Sequence, residues 1–362
     1  VEKDPTNSRW KCNRGDSDVT ERVHARRDAT LPAGMWLPFV RDSLRPTRVG
    51  ASRPTFLRTG LWLGLVLGLV GCDGRPPPDD APGTTPDPID KGAVRIAAFN
   101  VHRLFDTVCD SGSCGGSNYE ALPSPTAFEN QVSKLSTAIA SLDADVVLLA
   151  EVETQVGLDA LLARLPRLPH GVLGETGEPA SVDVAVLSAH PITAVYGHRE
   201  RPLVRPDGSS TRFSRELLEV HLDVDGAEVI VFAAHFRSKV NDDPGRRLAE
   251  AEATRDIVSQ VAARSPQALV VMGGDLNDVP GSEPLQALEK GGDLLRVASD
   301  RPTDQTWTYV YSGQRQAIDH LFFARGGGGG YVAGSFRAVR EGNSGFGGSD
   351  HAAVHADFLP VR

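Results

Sequence analysis

The apolar run Ala268-Leu-Val-Val-Met272 passes directly into Gly273-Gly274-Asp275-Leu276-Asn277-Asp278. A β-rich run of this kind reads as a buried strand, here closed by two carboxylates and a carboxamide. One strand-end Asp is as readily a turn residue or a helix cap. The arrangement recurs, however. Val94–Phe99 ends in Asn100, Val146–Ala150 in Glu151 and Val229–Ala234 in His235; Gln316–Ile318 leads to Asp319, and Ser349 precedes Asp350-His351. Six apolar segments thus deliver a metal-compatible or proton-transferring side chain near their ends. In an open α/β sheet that is where ligands bind.

The spacing between these segments points to an α/β sandwich. Val132, Leu135, Ile139 and Leu142 recur at helical intervals, predicting a helix over 127–142 that leads into the Val146 strand. Leu248, Ala251, Ile257, Val258 and Val261 predict another over 246–263, before the Ala268 strand. Leu218, Val220, Leu222 and Val224 alternate with polar residues, and Gly226 turns the chain into 229–234 as an antiparallel hairpin.

Seven segments in order, FNVHRLFD (99–106), DVVLLAEVE (145–153), DVAVLSAHPI (183–192), VFAAHFRSK (231–239), GGDLNDVPGS (273–282), QAIDHLFFA (316–324) and GSDHAAV (348–354), resemble the endonuclease/exonuclease/phosphatase superfamily. The resemblance runs from about Ala93 to the C-terminus. It implies a deoxyribonuclease-I-like, four-layer α/β sandwich: two mixed β-sheets flanked by helices, with the active site at one rim.

Phosphoester hydrolysis needs charge neutralised on the phosphoryl oxygens, an activated water and a stabilised leaving oxygen. Glu151 closes an apolar strand, where an unpaired carboxylate is costly. A hard divalent cation is its economical partner, Mg²⁺ foremost, with Mn²⁺ or Ca²⁺ suited to the same oxygens. The resemblance makes Glu151 the principal metal ligand, with Asn100 and Asp350 close by; Glu153 and Asp106 have weaker claims. His351 has an unperturbed pKa near neutrality, and the resemblance pairs it with Asp319 for proton transfer. It sets His235 against the scissile phosphate and gives Asp275 and Asn277 the orienting of water and phosphoryl oxygen. Arg215, Arg237 and Asp183 are candidate substrate contacts. His320 should point to the opposite strand face from Asp319 and pack, while His102, His190, His221 and His355 read as ordinary histidines. Gly326–Gly330 lacks the Lys-Ser/Thr of a phosphate loop and reads as a flexible insertion.

The rest of the chain reads as export apparatus. Leu61–Gly71 is apolar but shorter than the roughly 18 residues a membrane span needs. Arg53 and Arg58 precede it, and it ends Leu69-Val70-Gly71-Cys72, which resembles a bacterial lipobox with Cys72 as the acylated residue. Residues 61–72 are thus the signal and lipobox, and 73–92, rich in Pro, Asp and Gly, a linker. The polar, Arg-rich segment 1–60 is expected to lie outside the mature protein, with translation starting at Met35 or Val49. Residues 93–362 then form one catalytic domain, extracytoplasmic and membrane-anchored or secreted. Cys109 and Cys114, in the polar CDSGSC loop, suit a small local disulfide in an exported domain.

Residues 1–71 carry twelve Lys and Arg against seven Asp and Glu, so the −9 of the whole chain leaves −14 on 72–362. Such a domain gains no long-range attraction for a polyphosphate and needs bound cations or a local patch, for which Arg212, Arg215, Arg237, Lys239, Arg246, Arg247 and Arg315 are candidates. The leading expectation is an envelope-tethered, Mg²⁺-dependent nuclease with a nucleic acid or other phosphoester as partner and no obligate protein partner. The alternatives are a phosphomonoesterase, a lipid-headgroup phosphodiesterase of inositol-phosphate or sphingomyelin type, and a non-catalytic binding protein.

Overall fold

The computed structural model describes residues 91–362. The expectations for 1–60, for the signal and lipobox with Cys72, and for the linker up to residue 90 fall outside the described residues.

In chain order the elements are β1 (Val94–Leu104), α1 (Pro125–Ser141), β2 (Val146–Val152), α2 (Gln155–Leu162), β3 (His170–Gly174) and β4 (Asp183–Ser188). Next come β5 (Ile192–Gly197), β6 (Leu203–Val204), β7 (Ser210–Thr211), β8 (Leu218–Val224), β9 (Ala227–His235) and α3 (Pro244–Arg264). Then follow β10 (Leu269–Asp275), α4 (Glu283–Glu289), β11 (Leu294–Arg296), β12 (Tyr309–Tyr311) and β13 (Gln314–Gln316). The last are β14 (Asp319–Ala324), β15 (Gly330–Tyr331), β16 (Arg337–Val339) and β17 (Ala353–Leu359). One sheet has the order β15-β17-β1-β2-β4-β3, with β16 also on β17; the other has the order β11-β14-β10-β9-β8-β5.

Each sheet has a parallel pair at its centre, β1 with β2 and β9 with β10, and each pair is joined through a helix. Such strands are covered on both faces and read as continuous apolar runs. In β1, Ile96 and Ala98 face the core between the sheets, with Val231, Val271 and Leu321, while Ala97 and Phe99 pack with Leu135 and Ile139 of α1. On the far side, Ile230, Phe232, Val270 and Met272 pack with Ile257 and Val258 of α3 and Leu285 of α4. The layers are therefore helices, sheet, sheet, helices, a four-layer α/β sandwich.

The two sequence-read helices are present with shifted starts. Pro125 and Pro244 each occupy the first turn, where the missing N–H costs nothing. Ser124 caps α1 by accepting from Ala127 N, and Asp243 caps α3 by accepting from Arg246 N. The β8–β9 hairpin turns at Asp225-Gly226, both with positive φ, 53° and 89°, as a two-residue turn of this hand requires.

The glycine run is not a flexible insertion. A Cβ on Gly327 would lie 2.6 Å from the Ala268 carbonyl oxygen, and one on Gly329 would lie 2.3 Å from that of Leu359. Gly328 N donates to Ala268 O at 2.7 Å, and Gly330 enters β15. Glycine here lets two backbones approach closely.

Candidate active site

The carboxyl ends of β1, β2, β9 and β10 meet at one rim, where β14 begins and the chain enters β17. Parallel pairing brings Asn100 beside Ala150, next to Glu151, and sets Asp275 opposite His235. Antiparallel pairing sets Asp319 opposite Asp275. The approach to Asp275 is made by Gly274, whose φ is 139° and whose Cβ would fall 1.9 Å from Ala234 O; a larger residue there would force β9 and β10 apart.

From the first sheet, Asn100 Nδ2 donates to Glu151 Oε1 at 3.2 Å and to Asp275 Oδ2 at 3.0 Å. Glu151 sits in the left-handed region at φ 69°, and its Oε2 accepts from Arg103 N at 2.9 Å. From the second sheet, His235 Nε2 lies 3.9 Å from Glu151 Oε1 and 3.7 Å from Asp275 Oδ2. Asn277, also left-handed at φ 54°, donates its N–H to Asp275 Oδ1 and its Nδ2 to Phe236 O. His351 Nδ1 is 2.9 Å from Asp319 Oδ2, and its Nε2 is 4.0 Å from Asp275 Oδ2.

Two groups of ligand-type atoms therefore share Asp275: Glu151 with His235, and Asp319 with His351. The two carboxylates of Glu151 and Asp275 suit a hard cation, which oxygen ligands bind best, whereas Asn100 turns its amide NH₂ to both of them and its Oδ1 to His102 N. Glu151 and Asp275 are the ones that would hold it, with Asn100, expected from sequence as a ligand, orienting the two carboxylates instead. Asp350 does not join either group. Its carboxylate bonds His102 Nδ1 at 2.6 Å, and both side chains are about half exposed.

The electrostatics follow this geometry. Burial, and then the neighbouring Asp319, push the Asp275 carboxyl up to about 7. Burial opposes charge on His351, but Asp319, Asp275 and Asp350 outweigh it and carry the imidazole up to about 10. Burial, reinforced by Arg215 and His351, holds His235 well below its ordinary value, so it is a neutral imidazole. The hydrogen bond to Asp350 raises His102.

Several supporting residues were not singled out from sequence. Ser349 Oγ donates to Asn100 O at 2.7 Å and accepts from His351 N at 3.0 Å, tying the β17 entry to β1. Thr308 Oγ1 accepts from Ile318 N and Asp319 N. Tyr309 lies against the His351 ring, centroids 4.8 Å apart. The one available signal was adjacency, Ser349 to Asp350 and Thr308-Tyr309 to the run into Asp319. His320 is buried with Nε2 3.0 Å from Asp278 O, packed away from the site.

Beside the rim opens a cleft of about 700 Å³ whose walls include Tyr119, Asp183, Arg199, Arg212, Arg215, Arg237 and Arg246. Most of the basic candidates are neutralised. Arg212 pairs with Glu178 and Glu200, Arg246 with Glu250, Lys239 with Asp278, and Arg247 with Asp242 and Asp278. Among the described residues no carboxylate pairs with Arg215, Arg237 or Arg315. Arg215 donates to Phe236 O, Arg237 to Asn241 O, and Arg315 lies over the Trp307 ring. Asp183 is buried and accepts from Thr176 N and Ser181 Oγ, so it shapes the wall rather than presenting a charge; burial pushes it up to about 7. Cys109 and Cys114 form a disulfide in the loop that carries Tyr119.

Residues 97–351 match the family described as Endonuclease/Exonuclease/phosphatase, more than half of the chain. The chain belongs to that family. Members of this family are hydrolases acting on phosphoesters, typically with a divalent metal. Three solved structures share the fold. An endonuclease/exonuclease/phosphatase from Bacteroides vulgatus is 16% identical, covering 74% of this chain and 99% of that one, with a TM-score of 0.55. A truncated TDP2 from Caenorhabditis elegans is 17% identical over 75% and 99%, TM-score 0.53. The human Nocturnin catalytic domain with bound sulfate anion is 15% identical over 75% and 95%, TM-score 0.53. Among curated proteins no sequence matches this chain.

Proposed function

We propose that this family member is a Mg²⁺-dependent phosphodiesterase that cleaves nucleic acid by in-line attack of an activated water. The carrying observation is that the His351–Asp319 pair and the Asn100–Glu151–Asp275 cluster share one carboxylate, beside a cleft with unpaired guanidiniums. A divalent cation bound there supplies charge neutralisation on the phosphoryl oxygens. Asp319 fixes Nδ1 of His351 and leaves Nε2 facing Asp275 across 4.0 Å. Carried up to about 10, the His351 imidazole is protonated near neutrality and can donate from Nε2 to a phosphoryl or leaving oxygen, while a water beside Asp275 can lose its proton to that carboxyl, raised to about 7. Neutral His235 can donate a hydrogen bond to a phosphoryl oxygen, and Asn277, pinned through its side chain to Phe236 O, keeps Asp275 in place.

Arg215 and Arg237 support a polyanionic substrate, because guanidinium groups without a carboxylate partner are the local exception on an acidic domain. A sulfate bound by Nocturnin, a protein of the same fold, is consistent with anion recognition on this architecture. The test offers the purified chain plasmid DNA, RNA, sphingomyelin and inositol phosphates in parallel with Mg²⁺. Cleavage of nucleic acid alone is expected; hydrolysis of lipid or inositol phosphate without it would overturn the reading. We also read the chain as a lipoprotein of the cell envelope, acylated at Cys72 after Leu69-Val-Gly71. Labelling with radioactive palmitate should be lost in Cys72→Ser.

A further inference from the structure

We infer, resting on the phosphodiesterase reading above, that Glu250 is a positioning residue: it sets Arg215 and Arg237 as one clamp for a phosphate adjoining the scissile one. Glu250 lies on α3 and is 0% exposed. A carboxylate at such depth needs partners for its oxygens, and here they come from two separate segments. Oε1 accepts from Ser214 N at 2.7 Å and from the Ser214 hydroxyl, in the β7–β8 connection. Oε2 accepts from Arg237 N at 2.7 Å, just past the end of β9. Arg246, one turn earlier on the helix, brings Nε within 3.6 Å of Oε1 and offsets the charge. One side chain thus fixes the residue before Arg215 and the backbone of Arg237 itself.

The grip on Arg237 is closed from the other side. Arg247, three residues before Glu250 and so on the same helix face, donates from Nη1 to Arg237 O at 3.1 Å. Asp242 and Asp278 hold Arg247 in turn. The N–H and the C=O of Arg237 are therefore both bound to α3. Arg215 is tied into the same corner: its Nη1 donates to Phe236 O at 3.3 Å, the carbonyl that Asn277 Nδ2 also meets.

Both arginines line the cleft of about 700 Å³. The charge of Arg215 reaches His235 and lowers its basicity, so the clamp stands next to the catalytic rim. A guanidinium presents a rigid fork to phosphate, and it binds best when the backbone carrying it is already ordered. The rim has its own groups for the phosphate being cleaved, the cation cluster with His235 and His351. The two arginines are left for the next phosphate along. That favours a substrate whose phosphates are linked in a chain over a lone phosphodiester.

The experiment uses the full chain. Stripped of metal with a chelator, it is titrated by calorimetry with inorganic pyrophosphate, a probe of linked phosphates without base or lipid. Wild type should bind saturably, Arg215→Ala/Arg237→Ala should not, and Glu250→Gln should bind about tenfold more weakly. The amide keeps the volume and one acceptor, but its NH₂ meets the N–H of Ser214 or of Arg237 and releases that segment. Ser214→Ala, a milder change that removes one donor, should weaken binding about threefold. With Mg²⁺ and a short single-stranded oligonucleotide, Glu250→Gln should raise KM about tenfold and alter kcat by less than about twofold. In the Arg215→Ala/Arg237→Ala background the same substitution should leave KM where it is, because Glu250 acts through those two residues. An equal KM effect in both backgrounds, or pyrophosphate affinity unmoved in Glu250→Gln and Ser214→Ala, would overturn the inference even if nucleic acid is cleaved. Pyrophosphate binding that weakens as expected, with no cleavage of the oligonucleotide, would sink the nuclease reading and support the clamp.

Discussion

The two sheets contribute unequal halves to one site. The second sheet supplies His235, Asp275 and Asp319, whose side chains are 1–2% exposed. The first supplies Glu151 at 17%, and its neighbours His102 and Asp350 are 49% and 44% exposed. In the dry half Asp275 is held by fixed donors, Asn100 Nδ2 and Asn277 N, while Thr308 Oγ1 anchors the Asp319 backbone by accepting its N–H. In the open half Glu151 keeps solvent on one side. A hydrated cation needs room for its waters, while a proton relay gains from low dielectric and fixed dipoles. The contrast assigns cation binding to the open side of the rim and proton handling to the dry side, where His351, from the β17 entry of the first sheet, meets Asp319 of the second, with Asp275 as the shared wall.

The sharpest way to break this division is to alter the dry half. His351→Ala and Asp319→Asn should each lower kcat by about 10³-fold, within the 10²–10⁴ a positioned acid or base contributes. Their dependence on Mg²⁺ concentration should stay near that of wild type. If Asp319→Asn instead shifted the metal titration and spared kcat at saturation, the two halves would not be separate. Glu151→Gln should do the reverse, with an effect next in size. The apparent Mg²⁺ affinity should fall about 10–100-fold, as loss or disturbance of a ligand shell does, with partial recovery of rate at high metal. Steady-state rates across a Mg²⁺ series separate the two patterns.

The division also explains what was legible in the chain. Asn100, Glu151, His235, Asp275 and Asp319 were readable because each interrupts or closes an apolar run, and a strand end is a position that sequence marks. An α/β sandwich followed from the same runs and the two helical spacings between them; its four layers were what the family resemblance implied. What was not readable depends on contacts between distant segments. His102 looked ordinary, yet at φ 54° it donates its N–H to Asn100 Oδ1 and its ring meets Asp350, 248 positions away in the chain. Lys239 and Arg247 looked like an anion patch until Asp278 closed on both. The glycine run misled because composition alone cannot tell a loose segment from one pressed against the Ala268 and Leu359 carbonyls.

The smallest expected effect lies at the open edge, where His102 and Asp350 form an exposed pair. The hydrogen bond it donates to Asp350 raises the His102 imidazole above its ordinary value, and although burial opposes it, His102 and His351 hold Asp350 below the usual carboxylate range. A raised histidine stabilises the fold fully below about 6.5, and that contribution fades as pH rises through its folded value; the lowered Asp350 contributes above about 4. The pair is therefore strongest between those limits. Solvent screening at half exposure keeps it below about 1 kcal/mol. Asp350→Asn should lower the melting temperature by no more than a few degrees at pH 6, and by less at pH 8.5, while the His102 ring resonance titrates at lower pH than in wild type. His235, in the dry half, should show no titration between pH 6 and 8 in the same spectra. Equal titration of both rings would mean that water reaches the second sheet's rim as freely as the first, and the assignment of proton handling to a dry half would fail.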